Sequence, residues 1–368
     1  MRILYFTRDY TPHDHRFLSA LAQTEHEVHY LRLERRAHQL EDRTLPPEVK
    51  IVRWEGGQSP AKLRDALRLL ISLREVLRNV QPDVLHAGPI QTVGLLAALS
   101  GFRPIVTMSW GSDLLRDTER SRIYRWATKY VLDRSSVLVG DCDAVRHKAN
   151  GFGVPDERIV TFPWGVDLQQ FSPGENAVLR ARAGWEDAFV LLHTRSWEPV
   201  YGIDILVRAF VAAAQENADL RIFLLGGGSL TGKVFSMFER ASMLDRVSFS
   251  GQVSYKDLPG YYRAADLYVS ASHSDGSSVS LMEALAIGLP ALVSDIPGNR
   301  EWVVPGEHGW WFPDGDAQAL AQAILQAVDQ REQLSGMGRA TRILAEQRAD
   351  WNKNFQQLLK AYEMALAK

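Results

Sequence analysis

Asp275 and Glu283 stand eight residues apart in Ser272-His273-Ser274-Asp275-Gly276-Ser277-Ser278-Val279-Ser280-Leu281-Met282-Glu283. An apolar segment ending near Ser270 precedes them, and a helix-forming run starts near Val279, so the chain passes from strand through a small polar loop into a helix. The first N–H groups of such a helix have no intrahelical acceptor, and the helix dipole adds partial positive charge. Gly276, Ser277, Ser278 and Val279 therefore suit a phosphate. The two carboxylates can accept hydrogen bonds from two sets of hydroxyls on one ligand, one on a ribose and one beyond the phosphates. The alternative is that Asp275 caps the helix and Glu283 is a solvated helix charge. Loop composition does not choose between them.

A second stretch, Gly227-Gly228-Ser229-Leu230-Thr231-Gly232-Lys233-Val234, nearly spells a P-loop after a strong strand. That loop needs a Ser or Thr after the Lys to hold magnesium. Val234 offers no oxygen, which argues against an NTPase. The glycines still let backbone approach a phosphate.

Short apolar strands alternate with amphipathic helices along the whole chain. Ile3–Thr7, Glu27–Leu31, Val49–Trp54, Asp83–His86, Pro104–Met108, Ser136–Val139 and Arg158–Thr161 read as strands, with helices over Arg16–Gln23, Ala61–Asn79 and Thr92–Leu99. A turn-rich break at Phe162–Gly174 follows, and the pattern restarts: strands at Ala188–Leu192, Leu220–Leu225, Val247–Phe249, Leu267–Ser270 and Ala291–Ser294, with helices at Gly202–Gln215, Asp257–Ala264 and Leu281–Ile287. The tail from Gln318 to Lys368 reads as helical throughout. Such alternation predicts α/β architecture with two Rossmann-like doubly wound domains facing across a cleft. The expected division is residues 1–170, 171–345 and a final helix, 346–368, packing back on the first domain.

Composition narrows the class. The 368 residues are 46% hydrophobic and 23% charged, with a net charge of −2; these are values of soluble globular domains and give no basic field for nucleic acid. One cysteine, Cys142, excludes an internal disulfide. No apolar stretch reaches the ~18–20 residues of a membrane span, and Met1–Phe6 is too short for a signal peptide. A soluble protein of a reducing compartment is expected. Residues 1–170 are slightly basic and the remainder acidic.

Taken with its surroundings, Asp275 to Pro290 resembles the Glu-x7-Glu signature of the retaining glycosyltransferases of family 4, which have the GT-B fold. Asp245–Val253, Tyr262–Ser270, Trp164-Gly165-Val166-Asp167…Phe171 and His308–Pro313 resemble further segments of that family, in the right order. The resemblance covers nearly the whole chain. It implies transfer of a sugar from a nucleoside-diphosphate sugar, UDP- or GDP-linked, to a hydroxyl of a saccharide, glycolipid or small-molecule acceptor, with no metal or other cofactor. It also implies roles. Glu283 binds the ribose and Asp275 the transferred sugar, while the N–H groups of Gly276 to Val279 hold sugar and diphosphate oxygens. Arg195 clamps the diphosphate, Gly226, Gly227 and Lys233 lie on the donor side, and Gln252 and Val253 meet the base. By analogy the setting is bacterial polysaccharide or glycolipid assembly, cytoplasmic or at the inner face of the membrane. A catalytically inactive nucleotide-sugar-binding relative is the alternative.

Some residues depart from the family pattern. Asp275 stands where Glu is usual, so the carboxylate reaches one methylene less far. Tyr201 occupies the neighbourhood of a clamp lysine, and a phenol brings no charge; Lys233 is the candidate to compensate. Trp110, in Ser109-Trp110-Gly111-Ser112-Asp113, stands where many relatives place a His. The loop Tyr10-Thr11-Pro12-His13-Asp14-His15 lacks the usual pair of glycines. His13, His15, Trp110 and Asp113 are acceptor-side candidates. Finally, Arg116, Arg120, Arg122, Arg125, Lys129 and Arg134 crowd a segment that also carries Ile123, Tyr124, Trp126 and Tyr130. It reads either as a basic amphipathic helix with weak affinity for an anionic membrane or as a wall of the first domain, with Asp117, Glu119 and Asp133 pairing the cations.

Overall fold

The apolar runs become parallel strands, buried on both faces as their lack of alternation requires. The computed structural model describes residues 1–34, 41 and 43–367, and the chain forms two units, residues 1–162 with 355 onward, and Pro163–Asn354.

In the first unit the order is β1 (Arg2–Arg8), α1 (Pro12–Ala22), β2 (Glu27–Leu33), β3 (Lys50–Ile51), α2 (Ala66–Val80), β4 (Val84–Gly88), α3 (Leu95–Ser100), β5 (Ile105–Met108), α4 (Ser112–Leu115), α5 (Arg122–Arg134), β6 (Val137–Gly140), α6 (Asp143–Gly151) and β7 (Ile159–Thr161). All seven strands are parallel, ordered β3-β2-β1-β4-β5-β6-β7. The second unit has α7 (Ala177–Ala183), β8 (Phe189–His193), α8 (Ile203–Glu216), β9 (Leu220–Leu225), α9 (Thr231–Arg240), β10 (Val247–Gly251), α10 (Leu258–Arg263), β11 (Leu267–Ser270), α11 (Val279–Ile287), β12 (Ala291–Ser294), α12 (Pro297–Arg300), β13 (Gly309–Phe312), α13 (Ala317–Asp329) and α14 (Leu334–Arg348), and α15 (Trp351–Leu366) closes the chain. Its sheet is also parallel, ordered β10-β9-β8-β11-β12-β13.

The expected doubly wound architecture is therefore present twice. In each sheet the strand order reverses once, between β1 and β4 in the first and between β8 and β11 in the second. Loops leaving the carboxyl ends of two such strands diverge to opposite faces and open a crevice, the usual ligand site of these folds.

Three expected elements differ. Val49–Trp54 shrinks to Lys50–Ile51, because Trp54 turns inward. Its ring meets Phe6 edge-on at 5.3 Å, and its Nε1 donates to the Arg32 carbonyl at 2.7 Å. The helix expected from Thr92 begins as a π turn at Ile90–Gly94, closed by Gly94 N–H to the Pro89 carbonyl, before α3. The tail is three helices rather than one. At Ala349–Asp350 the backbone leaves the helix to pair with Val166, which donates to the Ala349 carbonyl at 2.7 Å and accepts from Trp351 at 3.1 Å. Lys368, the end of that expected tail, lies outside the described residues.

Candidate functional site

Arg195 and Asp275 sit on the two loops that leave β8 and β11, the strands flanking the reversal in the second sheet. Arg195 Nη2 lies 2.6 Å from Asp275 Oδ2, both side chains only 16% exposed. Tyr201 lays its ring under the guanidinium, 4.2 Å from ring centre to the guanidinium carbon. Burial works against charge on Arg195, yet Asp275 holds it above its usual value. Burial raises the Asp275 carboxyl, with Arg195 pulling the other way. Arg195 Nε is buried with no hydrogen-bond acceptor among the described residues. Buried donors are nearly always satisfied, so this one is a candidate for a ligand oxygen.

The signature loop is held from below by aromatic hydroxyls and an indole. Ser278 caps α11, accepting from Leu281 N–H at 3.4 Å, and its hydroxyl meets that of Ser280 at 3.1 Å. Tyr268 shares a 2.8 Å hydrogen bond with Ser280, and Trp302 Nε1 donates to Ser277 at 3.2 Å. Gly276 N–H donates to Asp275 Oδ1 at 3.1 Å. A side chain on Gly298, in α12, would strike the Asp275 and Gly276 carbonyls at 2.6 and 2.5 Å, which explains a glycine there.

Glu283 is not a solvated charge. It is 5% exposed, on a helix whose residues from Ser280 to Ile287 are all buried. Its Oε2 accepts from the Tyr262 hydroxyl at 2.8 Å, and Tyr262 also contacts Thr194 at 3.1 Å. A carboxylate on an otherwise apolar buried helix is costly unless paired. Phe171 braces the far side of Tyr262, with rings perpendicular at 5.9 Å, so the Trp164…Phe171 segment supports this corner. Tyr262, Tyr268 and Trp302 are the positioning residues that sequence reasoning assigned no role; a tyrosine at β11's approach and another on β11 carry no pattern that distinguishes them from core.

The glycine segment after β9 is packed against the Arg195 loop. Gly226 N–H donates to the Gly251 carbonyl at 2.6 Å, which brings the end of β10, and with it Gln252 and Val253, beside the glycines. Trp197 N–H donates to Gly227, Leu230 N–H donates to Trp197, and Gly228 and Ser229 N–H are taken by Thr231 and Glu198. Val234 is fully buried in the core. The loop resembles a P-loop in sequence but spends its amides on the fold. Lys233 is 53% exposed and lies 3.0 Å from Asp204.

In the first unit, His13 and Trp110 meet with ring centres 5.5 Å apart at the carboxyl ends of β1 and β5, and Phe17 backs the indole at 6.1 Å. Asp113 is buried and accepts from Ser109 Oγ and from the N–H groups of Ile90, Trp110 and Leu114 at 2.6–3.0 Å. That carboxylate is committed to shaping the loop around Trp110. His15 shares a 2.8 Å hydrogen bond with Tyr10. Among the described residues no three His, Cys, Asp or Glu side chains gather as a metal site.

Two family models match the chain, "Glycosyl transferases group 1" over residues 177–344 and "Glycosyl transferase 4-like" over residues 2–141. Each unit of the chain thus matches a glycosyltransferase family model. The chain is 28% identical to the D-inositol 3-phosphate glycosyltransferase of Geodermatophilus obscurus, over 64% of this chain and 54% of that protein. It is 27% identical to the mannosylfructose-phosphate synthase of Agrobacterium fabrum, over 58% and 49%. The chain thus spans about half the length of the curated relatives it matches. Among solved structures it is similar to Anabaena HepE in complex with UDP (TM-score 0.80, 19% identity, covering 99% of this chain and 100% of that one). It is also similar to sucrose-phosphate synthase of Thermosynechococcus elongatus (TM-score 0.82, 18% identity, full coverage of both). At these identities the likeness establishes the fold. No helix of its described residues is long and apolar enough to cross a membrane.

Proposed function

We propose that the chain is a retaining glycosyltransferase that moves a sugar from a nucleoside-diphosphate sugar to a hydroxyl of a saccharide, glycolipid or small-molecule acceptor. One observation carries the reading: a largely buried cation, Arg195, with an unsatisfied Nε, beside a carboxylate at the strand-order reversal of the second sheet. In the transfer, the bond from the anomeric carbon to the phosphate oxygen breaks and its electron pair leaves on the diphosphate. The acceptor oxygen bonds to that carbon and passes its proton to the departing phosphate oxygen. Negative charge grows on the leaving group, so a preorganised guanidinium and aimed N–H dipoles lower the barrier. Arg195 fills the first role and the amides of Gly276 to Val279 the second. Asp275 takes hydroxyls of the transferred sugar, and Glu283, anchored by Tyr262, takes those of the ribose. The positive field around the diphosphate comes from the protein itself, with no metal assigned a part.

The HepE complex with UDP-glucose supports a UDP-linked donor. A His13–Trp110 shelf supports a sugar-like acceptor surface, since flat rings suit the apolar face of a saccharide. Incubation with a panel of UDP-, GDP-, ADP- and TDP-sugars, measuring released nucleoside diphosphate, tests the reading. Release from one donor, enhanced by an added acceptor, is expected; binding without release from every donor supports the inactive relative instead.

A further inference from the structure

Helices α2, α3 and α5 lie side by side on one face of the first sheet. Leu69, Leu73, Val76 and Leu77 of α2 share a core with Leu96 and Ala97 of α3, and Ala98 of α3 shares another with Val131 and Leu132 of α5. With those stripes buried, both outer helices still turn large apolar side chains to solvent. On α2 these are Leu67 and Ile71, 72% and 57% exposed; on α5 they are Ile123 and Trp126, 74% and 56% exposed. Leu67 and Ile123 are each the second residue of their helix. Helices that return the chain between parallel strands run against those strands, so both N-terminal halves lie toward the carboxyl ends of the sheet. The four exposed apolar side chains therefore share one edge of one layer.

Cations surround them. Lys62, Arg64, Arg68, Arg116, Arg120, Arg122, Arg125 and Lys129 are exposed. Facing acids neutralise some: Glu55 and Asp65 approach Arg68, Asp117 holds Arg120 at 3.3 Å, Asp133 holds Lys129 at 2.5 Å, and Glu119 is drawn to Lys148 at 2.7 Å. The acids expected to pair the helix thus do so in part. Arg64, Arg116, Arg122 and Arg125 form no ion pair among the described residues. Trp126 packs on Tyr130 at 5.4 Å, and Arg134 covers the Tyr130 ring at 3.6 Å.

Single exposed apolar residues need no explanation, but matched pairs on two helices of one layer, ringed by unpaired arginines, do. We infer that this edge of the first unit docks on an anionic lipid bilayer. Trp126 and Ile123 enter the boundary between head groups and acyl chains, and the arginines keep their guanidinium groups at the phosphates. A protein partner would have to supply a strongly acidic surface with an apolar centre; a bilayer containing anionic lipid offers both without further design. The inference rests on first-unit residues alone and is independent of the donor-site reading.

The test is co-sedimentation of the full chain with vesicles of phosphatidylcholine alone or mixed with phosphatidylglycerol. Binding is expected only to the anionic vesicles, and it should fall at least tenfold as salt rises, because the Debye length drops from ~10 Å at 0.1 M to ~3 Å at 1 M. Arg122→Glu with Arg125→Glu should abolish it, and Ile123→Ser with Trp126→Ser should weaken it at least tenfold. These side chains are exposed apart from the Trp126–Tyr130 and Arg125–Phe152 ring contacts, so the melting temperature should fall by no more than a few degrees, and release of nucleoside diphosphate from a soluble donor should persist. Failure to bind anionic vesicles at low salt overturns the inference, as does binding that both double variants retain. So does a wild-type dimer in solution that the Ile123 and Trp126 changes dissolve, which would assign the surface to a second copy.

Discussion

Arg195 Nη2 and Asp275 Oδ2 lie 2.6 Å apart. The cation assigned to the leaving diphosphate is thus engaged by the carboxylate assigned to the sugar, and an incoming diphosphate must compete with Asp275 for it. The shorter side chain of Asp, relative to the usual Glu, reaches the arginine from the loop after β11.

Asp275→Asn removes that competitor and leaves a largely buried guanidinium without its counterion. Breaking such a pair costs on the order of 2 kcal/mol when some solvent reaches it, so the melting temperature should fall by several degrees. A nucleoside diphosphate would restore the missing negative charge, and its stabilising shift should be larger in the variant than in wild type. Turnover should drop, because the sugar hydroxyls lose their acceptor. An equal nucleotide-induced shift in both proteins would show that Asp275 and the diphosphate do not share Arg195.

Arg195→Ala should lower kcat/KM by ~10²-fold or more, the scale of losing one transition-state stabiliser. Tyr201 touches the guanidinium through its ring face, so Tyr201→Lys introduces a second cation beside the first. Product diphosphate should then bind several-fold tighter. Lys233 is more than half exposed and paired with Asp204; Lys233→Ala should stay within about twofold of wild type, since exposed pairs are worth ~0–1 kcal/mol. A large loss in Lys233→Ala together with a silent Tyr201→Lys would move the second clamp position to Lys233.

Glu283→Gln keeps volume but exchanges a charged acceptor for a neutral one, and charge-assisted hydrogen bonds are about twice as strong. Nucleotide affinity should fall, while a 2′,3′-dideoxyribose analogue should bind both proteins alike. Tyr262→Phe removes the hydroxyl that orients Glu283, and it should raise KM more than it lowers kcat. If the dideoxy analogue binds wild type as tightly as the natural nucleotide, Glu283 does not hold the ribose.

The two parallel sheets were legible because strands buried on both faces must be continuous apolar runs, as Leu220–Leu225 and Ala291–Ser294 are. Asp275 and Glu283 stood out because their loop combined small residues with two carboxylates at fixed spacing. What was not legible depends on distant partners. Nothing local to Val49–Trp54 says that Trp54 will leave the strand to meet Phe6, and nothing in the tail says that Ala349 will pair with Val166. Tyr262 and Trp302 read as core, and their one polar atom each finds its role only when Glu283 and Ser277 arrive from elsewhere. The glycines after β9 depend on distant partners in the same way: Trp197 and Glu198, about 30 residues away, hydrogen-bond that loop's backbone.

Stability should depend on pH in acid. Burial pushes His86 down to about 3 and His193 down to about 4, whereas in the unfolded chain each titrates near 6.5. Below about 6.5 the unfolded chain therefore binds more protons, and stability falls as pH drops, at up to ~1.4 kcal/mol per pH unit per histidine. Asp14 has the opposite sign. Burial raises it to about 7, so the folded form keeps a proton that the unfolded chain releases above about 4, and this contribution is lost as pH rises toward 7. Burial raises Asp113 and Asp275 as well, but it also lowers His15, His26 and His308 beside the first two, so five histidines outweigh three aspartates and unfolding free energy should rise between about pH 4 and 6.5. Urea titrations across that range should show the slope reduced in His193→Gln and steepened in Asp14→Asn; a wild-type profile flat from pH 4 to 6.5 would refute it.

Gly202 sets the distance between the two clamp loops. Its φ of 59° lies in the left-handed region, and a Cβ there would overlap the Ala271 carbonyl oxygen. Ala271 follows β11 and leads to Asp275, while Gly202 follows Tyr201, so the contact ties the Tyr201 turn to the signature loop. Gly202→Ala costs ~1–2 kcal/mol for the left-handed backbone alone, and relieving the overlap must move one loop from the other. For a unit of this size each kcal/mol lowers the melting temperature by ~2–4 °C, so a fall of several degrees is expected. Displacing reacting groups by about 1 Å can cost ~10²-fold in rate, and kcat/KM should drop at least tenfold at temperatures where the variant is fully folded. Gly232→Ala is the control. That glycine is exposed in the first turn of α9, with nothing within 4 Å of a Cβ, and alanine favours a helix by up to ~1 kcal/mol over glycine. It should be neutral or stabilising and leave activity unchanged. Wild-type melting and kinetics in Gly202→Ala would mean that the Tyr201 turn and the signature loop adjust independently, and that the clamp geometry is set elsewhere.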